Sequence, residues 1–133
     1  MSEHIELIRS SDRLTDDLDY AYAAVTTART VYTAGACPLD VDGATVAPGD
    51  FQAQARRCMT NLETALDEAG AVLADVVKYT VYVASSRQED LVEAWDVVRA
   101  SFGGHDAPAT LLGVAALGYD DQLVEVEAVA ALA

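Results

Sequence analysis

The stretch "QARRCMTNLETALDEAGAVLADVVKYTVYV", Gln54 to Val83, changes its period partway along and so decides the fold. In its first part Ala55, Cys58, Leu62, Ala65 and Ala69, with Phe51 just upstream, recur at steps of four and three, which is one face of a helix. Arg56, Arg57, Thr60, Glu63 and Asp67 fall on the outer side. Asp50 stands where a helix wants a capping side chain, and Gly70 closes the pattern. From about Val76 to Val83 the chain switches to β-branched and aromatic residues that alternate, which predicts a strand. Val77, Tyr79, Val81 and Val83 are expected on one face of it, and Val76, Thr80 and Tyr82 on the other.

Working outward, "HIELIR" (His4–Arg9) reads as a short strand. "YAYAAVTT" and "TVYTAG" flank Ala28-Arg29 and predict a hairpin. "PLDVDGATVAPGD" carries the Asp42-Gly43 turn signal and ends at Pro48-Gly49-Asp50. A second helix is predicted from about Gln88 to Phe102, with Leu91, Trp95, Val98 and Phe102 on one face. A strand near Thr110–Ala115 follows, then the loop "LGYDDQ", then "VEVEAVA". In that last strand Glu125 and Glu127 point to one face and Val124 and Val126 to the other. Between Pro108 and Ala130 no Arg, Lys or His answers the two acids.

The order β-β-β-α-β-α-β-β, with no linker or repeat, predicts an α+β fold in one domain, 1–133: a mixed sheet with two helices on one face. Apolar residues on both faces of the 76–83 strand imply a second layer from another subunit.

At 133 residues the chain is long enough to bury a core, and 52% of it is hydrophobic. Acids outnumber bases 22 to 8, a formal charge of −14, which argues against nucleic acid as a partner. No apolar run approaches the ~20 residues of a membrane span. The polar, acidic "MSEHIELIRSSD" is neither a signal nor a transit peptide, so the expected location is the cytoplasm, away from membranes. Cys37 and Cys58 are too few and too far apart for a zinc or C-x-x-C site, and Cys58 lies on the helix stripe. Asp120-Asp121 alone is not a metal site, and His105, in "GGHDAP", is expected in solvent.

The Gln54–Val83 segment resembles the signature of the YjgF/RidA family. The matching positions are Gln54, Asn61, Leu62, Ala69-Gly70, Asp75-Val76-Val77-Lys78 and Val81-Tyr82-Val83. "TAGACP" resembles the family's T-S-G-x-x-P turn and "VEVEAVA" its closing strand, so the likeness runs from about Tyr20 to Ala130. The resemblance implies a chorismate-mutase-like α+β fold and a homotrimer whose sheets form a central barrel, with three clefts at the subunit interfaces. In well-known members the cleft takes a small α-imino acid and speeds its hydrolysis to a 2-keto acid and ammonia. An Arg there clamps the carboxylate, a Glu on the last strand positions water, and a backbone turn, a Tyr and an Asn complete the pocket.

Carried over position by position, the resemblance assigns the catalytic Glu to Glu127 and the turn to Ala34-Gly35, where Ala replaces the usual Ser. The Tyr maps to Tyr20 or Tyr22, depending on a one-residue gap. The Asn has no counterpart, since the second helix offers Trp95 or Asp96. The family's P-A-R meets "APATLLG", so Ala109 or Thr110 stands where the Arg would be. The expectation is a small-molecule ligand, no cofactor, no metal, and an imine or enamine substrate other than a simple α-imino acid, with Glu127 as base or water holder. The alternative is a regulatory trimer that binds a ligand in the same cleft without turnover.

Overall fold

The computed structural model describes residues 3–15 and 17–133. Elements follow the predicted order: β1 (Glu6–Ile8), β2 (Ala23–Val25), β3 (Thr30–Tyr32), α1 (Phe51–Glu68), a 3-10 turn (Leu73–Asp75), β4 (Val76–Val83), α2 (Gln88–Ser101), β5 (Ala109–Gly113) and β6 (Val124–Ala131). Four strands make a mixed sheet in the order β3-β6-β4-β5, and β1 and β2 pair apart from it. Only β4 and β5 run parallel, and α2 is the crossover that such a pair needs. Both helices pack on one face of the sheet, which makes the fold α+β as expected. No helix among the described residues is long and apolar enough to cross a membrane.

Two local expectations give way to longer-range pairing. Ala28-Arg29 does not close a hairpin, because β2 pairs with β1 and β3 with β6. In β4 the alternation breaks at Val77. Val76 is opposite Ala130 and Lys78 opposite Val129, so β4 advances two residues where β6 advances one. This bulge turns Val76 inward with Tyr79, Val81 and Val83 and leaves Val77 half-buried. The other face of β4 therefore carries Lys78, Thr80 and Tyr82, a polar row rather than the apolar one that plain alternation suggests.

Helix α1 begins where the sequence placed it, with the Asp50 carboxylate accepting from Ala53 N at 2.9 Å. Gly70, at φ +87°, ends it in a conformation that favours glycine. The buried stripe drifts from the predicted one: Met59 and Leu66 join Ala55, Cys58 and Leu62 in the core, while Ala65 and Ala69 are exposed. Helix α2 delivers Ala94, Val98 and, just past its end, Phe102. Tyr79 stacks on Phe102 at 4.2 Å and on Trp95 at 6.0 Å between ring centroids, so aromatic contact joins β4 to α2.

Two amides of the signature stretch act as clamps on loops. Gln54 is fully buried; its Nε2 donates to the carbonyls of Ala47 (3.3 Å) and Asp121 (2.9 Å), and its Oε1 accepts from Leu123 N at 2.7 Å. Asn61 Nδ2 donates to the carbonyls of Cys37 (2.8 Å) and Leu39 (3.0 Å). Replacing Gln54 by Leu leaves the Asp121 carbonyl and the Leu123 N–H without that partner, while the Ala47 carbonyl keeps the Asp50 N–H, at about 1–3 kcal/mol for each group that water cannot reach. We expect Gln54→Leu to lower unfolding stability by roughly 2–4 kcal/mol in a urea titration; a change under about 0.5 kcal/mol would show that the clamp contributes little.

Candidate functional site

Four of the residues singled out from sequence meet at the edge of β5. Tyr20, Trp95, Ala109 and Thr110, with Asp19 and Leu111, line a pocket of about 510 Å³. Tyr20 meets the Trp95 ring edge-on, and the indole Nε1 donates to the Asp19 carboxylate at 3.4 Å. Tyr22 lies elsewhere, its hydroxyl donating to the Thr15 carbonyl, so the pocket takes Tyr20 of the two candidates.

Arg99 anchors this wall rather than facing the pocket. It donates to the carbonyls of Asp19 (2.6 Å) and Gly103 (2.9 Å) and pairs with Asp106, which also holds Arg9. Arg87 pairs with Glu89 at the exposed start of α2, and Arg29 is exposed beside β3. Among the described residues no guanidinium lines the pocket.

The cation comes instead from β4, outside the 108–130 stretch. On the sheet face away from the helices, Glu127, Thr80 and Thr110 stand in one row across β6, β4 and β5. Lys78 leans over β5, with Nζ donating to Thr110 Oγ1 at 2.6 Å. Tyr82 leans the opposite way and bonds Glu127. Burial, and then the charge and hydrogen bond of Glu127, raise the Tyr82 pKa, so its phenol keeps its proton at neutral pH. Lys78 and Tyr82 were legible as strand residues; their opposite lean was not, since it depends on what each neighbouring strand presents.

The Ala34-Gly35 turn does not meet Glu127. It meets Glu125: a Cβ added at Gly35 would overlap that carboxylate, which would have to swing aside to admit a side chain. Glu125 Oε1 also accepts from Cys37 Sγ at 3.3 Å and Gln122 Nε2 at 3.2 Å. The turn, Cys37, Arg57, Asn61 and Tyr119 help to line a second, open pocket of about 460 Å³, separate from that of Tyr20 and Trp95. Within one chain the predicted residues thus form two groups. Ala34 itself is exposed.

Other expectations sort simply. Cys58 is fully buried, as predicted. His105 is not in solvent: it is buried, with Nε2 2.7 Å from the Val76 carbonyl, because the loop after α2 folds under the bulge of β4. No group of three or more metal-ligating side chains occurs among the described residues.

Burial, followed by the hydrogen bond and charge of Glu125, pushes the Cys37 thiol up to about 11. The thiol is therefore a donor that steadies Glu125 and a poor nucleophile at neutral pH. In the folded protein, alkylation by iodoacetamide should rise only above about pH 10, and Glu125→Gln should move that rise to lower pH, since it removes two of the effects that raise the pKa. Cys58, fully buried, does not compete. Rapid alkylation at pH 7 would contradict this reading.

Comparison with known proteins agrees with this geometry. The family model described as Endoribonuclease L-PSP matches residues 11–132. A RutC family protein of Pyrococcus abyssi is 34% identical over 100 residues, covering 75% of this chain and 76% of its own. A rat protein named 2-iminobutanoate/2-iminopropanoate deaminase is 28% identical over 130 residues, 98% of this chain and 93% of its own. The crystal structure of a Rid family protein of unknown function, YyfB of Yersinia pestis, superposes with a TM-score of 0.88 at 28% identity, covering 97% of this chain and 99% of that one. The chain belongs to the YjgF/RidA family.

Proposed function

We propose that the protein is a homotrimer with a small-molecule cleft at each subunit interface, and that it acts on a reactive imine or enamine other than a simple α-imino acid. The observation that carries this is convergence: Tyr20, Trp95, Ala109 and Thr110 come from distant parts of the chain to form one pocket at the edge of a sheet face that also bears Glu127. Among the described residues nothing covers that face, where Tyr32 is 76% and Leu112 43% exposed. Apolar groups of this size on an open face favour burial by further copies. The name of the rat relative supports imine chemistry.

In this reading Glu127 accepts a proton from water as the water oxygen attacks the C=N carbon. The nitrogen takes that proton to give an amino alcohol; the same carboxylate then passes the hydroxyl proton to the nitrogen as the C–N bond breaks, so ammonia leaves and the carbon keeps the oxygen as a carbonyl. Tyr82 holds the carboxylate in place from the next strand. The charge of −14 speaks against the ribonuclease sense of the family description, because few cations are present to neutralise a phosphate backbone. A non-catalytic ligand-binding trimer is the second reading, and the pocket's lack of a guanidinium favours it.

Light scattering on a sizing column should give about three times the 14.1 kDa chain mass; a monomer would remove the interface clefts. For the chemistry, a coupled assay that generates 2-aminoacrylate in place should show this protein roughly ten- to a hundredfold slower than an Arg-bearing relative, because one charge-assisted bond is worth about 1.5–3 kcal/mol. Comparable rates would contradict the restriction on substrate. Glu127→Ala should lose ligand binding or turnover while keeping its fold. If Glu125→Ala loses it instead, the wrong acid is assigned.

A further inference from the structure

We infer that the open sheet face holds a binding slot for a zwitterion whose carboxylate and cationic nitrogen are set well apart along a carbon chain. This deepens, and rests on, the small-molecule cleft proposed above. Thr80 forms the floor. On one side stands Glu127, braced by Tyr82; on the other stands Lys78, its ammonium drawn to Thr110. The long side chains of β4 splay in opposite directions, so nothing taller than a threonine fills the middle.

Charge makes the slot a receptor rather than a closed pair. Lys78 has no carboxylate partner within 4.0 Å among the described residues, and one hydroxyl accounts for one of the three protons of its half-buried ammonium. A half-buried ammonium with spare donors favours an anionic acceptor, and a ligand carboxylate supplies it. Among the described residues Glu127, in turn, meets a phenol and pairs with no cation, so it favours a positive nitrogen.

Spacing selects the ligand. Glu127 and Thr110 flank Thr80 on adjacent strands, and two strand spacings are about 9.6 Å. Hydrogen bonds of about 2.8 Å at the two ends leave about 4 Å between the ligand's charged groups. In an α-amino or α-imino acid the two groups share one carbon and stand too close to reach both sides. A nitrogen one carbon further along reaches that span in an extended chain, and one two or three carbons further along reaches it in a bent chain. The slot therefore excludes the simple α-imino acid by length as well as by the missing guanidinium, and it admits imines formed from longer amino acids.

The test uses saturated, stable probes: alanine, 4-aminobutanoate, 5-aminopentanoate and pentylamine, titrated calorimetrically into the intact protein. We expect 4-aminobutanoate or 5-aminopentanoate to bind at least tenfold more tightly than alanine. Lys78→Met should weaken that binding at least tenfold and leave pentylamine unchanged, and Lys78→Arg should restore most of it. Thr110→Val, which keeps the lysine and the strand, should weaken the same probes several-fold. The inference is overturned if alanine binds as well as the longer acids, if Lys78→Met binds them normally while still eluting as the wild type does, or if none of the amino acids binds. Pentylamine separates the two levels: if it binds through Glu127 but the longer acids gain nothing, only the slot falls, whereas loss of pentylamine as well counts against the cleft itself.

Discussion

The pairing of β4 with β6, and the bulge within it, is the constraint on which this structure depends. One extra residue at Val77 lets Val76 and Tyr79 both face the helices. Without it, one of the two would turn outward, at about 2 kcal/mol of lost burial for a side chain of that size. The bulge also bends the strand start towards His105, whose Nε2 meets the carbonyl of Val76. At the other end of the same register Thr80 stands opposite Glu127 and Tyr82 opposite Glu125. Core packing on one face and chemistry on the other are thus set by one alignment of strands.

The two glutamates that look equivalent in sequence are separated by what surrounds them. Glu125 lies against Gly35 and takes bonds from Cys37 and Gln122, so its orientation is fixed by groups of its own chain. Glu127 meets Tyr82 on the uncovered face. A carboxylate with several donors is a structural anchor for its loop; one with a single phenol has acceptor capacity left for a ligand or water. On this difference rests the proposal that Glu127 is the working acid, even though the turn assigned to it lies against its neighbour.

Much of the fold was legible because it is written in local period. The Asp50 cap, the end of α1 at Gly70 and the limits of β4 follow from residue types within a few positions. The partners of β2 and β3 were not legible, because pairing is decided by strands about a hundred residues away in the case of β3 and β6. The β4 bulge escaped for a related reason: Val77 is as good a strand residue as Val76, and only the register with Ala130 and Val129 shows which is extra. Of the residues singled out for the site, Tyr20, Trp95, Ala109 and Thr110 line one pocket. The cation was not legible from the stretch around Thr110, because Lys78 reaches Thr110 from the adjacent strand.

The central claim is that the open sheet face, with Glu127 and Lys78, is where the ligand is held. Carbon-13 spectra of the glutamate side-chain carboxyls, recorded while 5-aminopentanoate is added, test it at single residues, with Glu125→Gln and Glu127→Gln used to assign the two signals. The account predicts that the Glu127 carboxyl signal moves with saturation and that of Glu125 stays in place. Movement of Glu125 with Glu127 unchanged would contradict it and put the ligand at the Gly35 turn instead.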